Sequence, residues 1–76
     1  MQTIDFELDR DHVELNQLLK LAGLCDSGGA GKQVVASGAV RVDGEVELRK
    51  TCKVRAGQSV TLDGVVIRII GSPSAG

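Results

Sequence analysis

The stretch Ser27-Gly28-Gly29-Ala30-Gly31-Lys32-Gln33-Val34-Val35-Ala36-Ser37-Gly38-Ala39-Val40-Arg41-Val42-Asp43-Gly44 contains a change of period. Up to Gly38 the apolar residues Ala30, Val34 and Val35 stand at helical spacing. Asp26 and Ser27 are both good N-caps for that helix, and Gly38 is a natural stop. From Ala39 the spacing drops to two: Val40 and Val42 alternate with Arg41, the pattern of a strand with one buried face. Gly28, Gly29 and Gly31 each cost the helix up to about 1 kcal/mol relative to alanine. Close approach of another backbone or of a ligand is the usual reason to keep them, and both readings stay open.

On the N-terminal side, residues 2–8 place Ile4, Phe6 and Leu8 against Thr3, Asp5 and Glu7, which predicts a first strand. Asp11 and Glu14 form an acidic capping box, Asp-x-x-Glu. The helix it opens carries Leu15, Leu18, Leu19 and Ala22 on one face and ends at Gly23. On the C-terminal side, a two-residue loop at Asp43-Gly44 would set Val42 opposite Glu45 and mix apolar with acidic residues. A bulged or three-residue turn pairing Val42 with Val46 is therefore expected. Asp63-Gly64 reads as a two-residue hairpin turn pairing Leu62 with Val65 and Val60 with Ile67. The order of strand, helix, helix and about four short strands predicts an α+β fold. The expectation is a single domain over residues 1–70, two helices on one face of a small curved, mostly antiparallel sheet. A flexible tail is expected over 71–76.

Seventy-six residues allow one modest core. Phe6 is the only aromatic residue, so that core must be aliphatic. The formal net charge of -1 conceals a segregation. Residues 1–19 hold five acids against Arg10, whereas residues 20–55 hold seven bases against four acids. Such asymmetry points towards a polyanionic partner. Cys25 and Cys52 are isolated and accompany a single histidine, so a metal site is not expected and two reduced thiols are. The N-terminus is acidic and lacks an apolar leader core, and no apolar run is long enough to span a membrane. The expected setting is the cytoplasm, with no membrane association.

Gly28-Gly29-Ala30-Gly31-Lys32 fails as a phosphate loop, because Asp26 and Gln33 occupy positions that need glycine and Ser or Thr. It fails as a dinucleotide fingerprint because Val34 stands where a third glycine belongs. No Ser-His-Asp set, no Cys-His pair with an orienting acid and no carboxylate pair in an evident pocket is present, so no catalytic activity, small-molecule substrate or cofactor is expected. Arg41 alternates with buried positions and so faces solvent; Lys53 and Arg55 flank Val54 in the same way, just after Arg49 and Lys50. A row of cations suits the phosphates of a nucleic acid. The absence of interleaved aromatics favours folded RNA over splayed bases.

Residues Leu15 to Ile70 resemble the S-four RNA-binding domain, named for ribosomal small-subunit protein four. The resemblance rests on the leucine-rich helix ending in Gly23-Leu24, on Ser27 opening a second helix, on Gly38-Ala39-Val40-Arg41-Val42-Asp43-Gly44 and on Ala56-Gly57-Gln58. More closely, the chain resembles the small stand-alone bacterial YbcJ-like group, with Ser27, Gly28 and Lys32 and the string Glu47, Arg49, Lys50, Cys52 and Lys53. The resemblance implies the alpha-L motif, a core of about residues 12–70 whose helices and adjoining strands form one RNA-binding surface. That family usually has Arg directly after the helix-opening Ser, where this chain has Gly28. The expected RNA contacts are therefore Lys32, Arg41, Arg49, Lys50, Lys53 and Arg55, with Gly28 and Gly29 approaching the RNA backbone. The expected partner of a monomer is structured RNA, ribosomal RNA in particular; a protein-interaction adaptor is the alternative.

Overall fold

In the computed structural model, which describes residues 2–71, the first strand β1 (Gln2–Leu8) is followed by a two-residue strand β2 (Val13–Glu14) and the helices α1 (Leu15–Leu21) and α2 (Gly28–Ala36). Five strands follow: β3 (Arg41–Val42), β4 (Glu45–Val46), β5 (Lys53–Val54), β6 (Ser59–Leu62) and β7 (Val65–Gly71). The main sheet has the order β1-β7-β6-β3-β4, and β2 and β5 form a separate antiparallel ladder. Every pairing is antiparallel except that of β1 with β7, which runs from Gln2 opposite Val65 to Leu8 opposite Gly71. The α+β architecture is thus the expected one. β7 includes Gly71, the first residue of the tail expected over 71–76, and the rest of that tail lies outside the described residues.

One aliphatic core joins the layers. Leu15, Leu18 and Leu19 of α1 and Val35 of α2 pack with Val40, Val54, Val60, Ile67 and Ile69, all fully or almost fully buried. The helices meet closely because Gly31 has no side chain: a Cβ there would sit 2.6 Å from the Asn16 carbonyl oxygen of α1. Helix packing therefore explains Gly31. A Cβ on Gly29 would approach nothing nearer than Ser27 Oγ at 3.8 Å. Ser27 is the N-cap of α2, its hydroxyl accepting from Ala30 N–H at 3.1 Å, and Gly23 follows the end of α1 at φ 82°.

Two local expectations are corrected. The Asp11-Glu14 capping box does not form: Glu14 is the N-cap residue of α1 but makes no side-chain cap bond, and Asp11 faces His12 instead. The first N–H groups of α1 are met from a distance, Leu15 donating to the Cys52 carbonyl at 2.9 Å and Asn16 to that of Lys50 at 3.1 Å. The Asp43-Gly44 hairpin is a strict two-residue turn, pairing Val42 with Glu45 and Arg41 with Val46. Asp43 and Gly44 have φ values of 53° and 85°, the positive values that a type I′ turn requires. Both residues of β4 are exposed, so there is no buried face for an odd loop to preserve. The turn is held instead by the Asp43 carboxylate, which accepts from Ser59 N–H at 3.0 Å and Gln58 Nε2 at 3.1 Å. At Asp63-Gly64 the expected pairs, Leu62 with Val65 and Val60 with Ile67, are present.

Candidate nucleic-acid interface

The two carbonyl bonds at the start of α1 tie the loop between β4 and β5 against the helices. The result is an open groove lined by Lys32 of α2, Leu48, Arg49, Lys50, Thr51 and Cys52 of the loop, Lys53 of β5, and Arg55 and Gln58 beyond it. Five of these nine residues are cations and none is an acid. Val54 is fully buried between Lys53 and Arg55, so strand alternation turns both cations outwards. Among the described residues, Lys32, Lys50 and Lys53 have no carboxylate within ion-pair distance, and Arg55 has only the exposed Asp11, at 3.7 Å. Such a surface holds its cations ready for an external anion, and exposed pairs of this kind contribute little on their own.

Arg49 is held differently. Its Nε and backbone N–H both donate to Glu47 Oε2, at 3.3 and 3.1 Å, and its Nη2 donates to Glu47 Oε1 at 3.3 Å. The Glu47 side chain is only 18% exposed and the Arg49 side chain 80%, so the carboxylate lies beneath and the guanidinium above. The Arg49 side chain, then its backbone N–H, then the Cys52 thiol hold the Glu47 carboxyl down to about 2. Burial, followed by Glu47, pushes the Cys52 thiol up from its ordinary value. Cys25 and Cys52 are both free and half-buried, and burial raises Cys25 as well.

Of the residues expected from sequence, Lys32, Arg49, Lys50, Lys53 and Arg55 come together in the groove. Arg41 is exposed on β3, paired with Val46 and Thr61, and is not among the groove's lining residues. Gly28 and Gly29 open α2 and also lie outside the lining. Gln58 and Glu47 are the residues that sequence reasoning passed over. Gln58 accepts from Arg55 N–H at 2.8 Å and donates to Asp43, fixing the end of the groove to the β3–β4 turn. Both stand inside strings already notable for their pattern, Ala56-Gly57-Gln58 and Glu47-x-Arg49-Lys50, where a polar residue two or three positions from a cation was the available signal.

Among the described residues no group of His, Cys, Asp and Glu could hold a metal ion, and no helix is long and apolar enough to cross a membrane. The fold and groove define a small α+β domain with a loop-borne cationic surface packed on a helix pair. The S4 domain family model matches residues 6–70. The chain belongs to the S4 domain family. It is 49% identical over 59 residues, 78% of its length and 84% of the relative's, to the Escherichia coli (strain K12) protein named "Putative RNA-binding protein YbcJ". The solution structure of YbcJ from E. coli, described as revealing an "alfaL motif involved in RNA-binding", matches 92% of this chain and 87% of its own, with 44% identity and a TM-score of 0.65.

Proposed function

We propose that this protein binds structured RNA without catalysis, seating the phosphate backbone in the groove between α2 and the β4–β5 loop. The observation that carries the proposal is the convergence of Lys32, Arg49, Lys50, Lys53 and Arg55 on one surface with no acid among its lining residues. Lysine and arginine neutralise phosphates and release counterions, which gives affinity that falls steeply with salt. An open, shallow surface without aromatics suits the backbone and 2′-hydroxyls of folded RNA better than single unstacked bases. Membership of the S4 domain family and the RNA-binding name of the E. coli relative support the same reading. We extend it to ribosomal RNA as the target and to a cytoplasmic monomer as the acting form. The adaptor alternative has the exposed Leu21, Val46 and Leu48 in its favour, and Leu48 is itself a groove residue.

The test is a salt titration of binding to a fluorescein-labelled RNA stem-loop. Lys50→Ala with Lys53→Ala should lower the slope of log K against log salt by about two, one for each phosphate that the variant no longer neutralises. Equal and salt-insensitive binding by the wild type and the double variant would refute the reading. Sequencing the RNA that co-purifies with the tagged protein tests the ribosomal assignment, which fails if ribosomal RNA is not enriched.

A further inference from the structure

An acid beside a phosphate-binding surface should repel RNA, and Glu47 stands one residue from Leu48 and two from Arg49 of the groove. Its geometry argues the opposite effect. Arg49 gives Glu47 three hydrogen bonds, and they fix both the backbone and the guanidinium of Arg49. Arginine has five N–H donors in a rigid fork. The bonds to Glu47 use Nε–H and one N–H of Nη2, so the remaining three point away from the carboxylate. With Glu47 shielded below and Arg49 open above, the negative charge is covered by the cation it orients. Glu47 is also anchored through its backbone, its N–H donating to the Val40 carbonyl at 3.0 Å, which joins the loop to the residue before β3.

We infer that Glu47 is a positioning residue for RNA, holding the Arg49 guanidinium preorganised at the groove so that an acidic side chain strengthens binding of an anion. The inference rests on the RNA reading of the groove. Without the clamp, Arg49 is a mobile side chain that must be immobilised when RNA binds. That ordering costs roughly two- to tenfold in affinity for a rotamer-rich side chain. Plain electrostatics predicts the reverse sign, because removing an acid lowers repulsion of phosphate. Glu45 supplies the comparison: it is an exposed acid on β4 and enters no side-chain hydrogen bond or ion pair among the described residues.

The experiment measures stem-loop affinity for the wild type and for Glu47→Ala, Glu47→Gln, Glu45→Gln, Arg49→Ala and the Glu47→Ala/Arg49→Ala pair. Glu47→Ala should bind roughly two- to tenfold more weakly, while Glu45→Gln binds equally or more tightly. Glu47→Gln, which keeps an acceptor but loses the charge, should fall between the wild type and Glu47→Ala. In the Arg49→Ala background, Glu47→Ala should no longer weaken binding, which a general loosening of the loop would not produce. The NMR signal of the Arg49 Nε–H group should be sharp and protected from exchange in the wild type and averaged in Glu47→Ala. If the wild type binds and Glu47→Ala binds as tightly or more tightly, the positioning role is overturned. If the wild type fails to bind at any salt concentration, the RNA reading falls, and the role of the clamp in binding falls with it.

Discussion

A carboxylate that accepts three bonds from one arginine has a distinct acid response. The Glu47 carboxyl is held near 2 in the fold, against 4.5 for a free glutamate, so the fold favours its charged form. Its contribution is complete above about pH 4.5 and is lost as the pH falls towards 2, because the unfolded chain takes up the proton first. A carbon-13 titration of the Glu47 carboxyl should have its midpoint near 2, and Arg49→Ala should move that midpoint up towards 4.5. A wild-type midpoint at 4.5 would mean that the clamp is not formed in solution. Cys52 responds to the same carboxylate: with its pKa raised by burial and by Glu47, the thiol remains protonated at neutral pH and is a poor nucleophile.

At the scale of elements, the glycines at the start of α2 divide by what stands opposite them. Gly31→Ala would drive a methyl group into the Asn16 carbonyl of α1, a backbone atom that cannot rotate aside. Overpacking of this kind costs about 1–3 kcal/mol, more than the helix propensity that alanine returns. Gly29→Ala meets only ordinary contact, so propensity acts alone and should stabilise the fold by up to about 1 kcal/mol. Urea denaturation of the two variants should give changes of opposite sign. Helix and hairpin positions that depend on neighbouring residues were legible in the chain: Ser27 as a cap, Gly23 and Gly38 as stops, Asp63-Gly64 as a turn. What could not be read depends on partners far along the sequence. The N-terminus of α1 is completed by the carbonyls of Lys50 and Cys52, and the Asp43 turn by groups 15 and 16 residues away. The groove follows the same rule: Lys32 and the run of bases over 49–55 could be named from the chain, whereas Arg41 falls outside it only through the pairing of β3 with β4 and β6.

Across the whole molecule, charge is sorted into regions. The acids Asp5 and Glu7 lie on β1 at one edge of the main sheet, where Asp5 pairs with Arg68 of β7, while the groove collects cations beside the helices. A net charge of -1 therefore says little about the field that an approaching polyanion meets. Adding RNA stem-loop to the nitrogen-15-labelled protein should shift the amide signals of Lys32, residues 49–55 and Gln58 and leave those of Gln2–Leu8 in place; shifts centred on β1 would contradict the groove. The pairing of β1 with β7 also bears on synthesis. Gln2–Leu8 is made before the helices, yet among the described residues its only partner strand begins at Val65, so the nascent segment holding Ile4, Phe6 and Leu8 waits unpaired until Val65–Gly71 has been made. Contacts this distant in sequence form slowly, and an apolar strand without a partner is open to wrong associations. The acids Asp5 and Glu7, interleaved with those apolar residues, give the waiting segment like charges that keep two nascent copies apart.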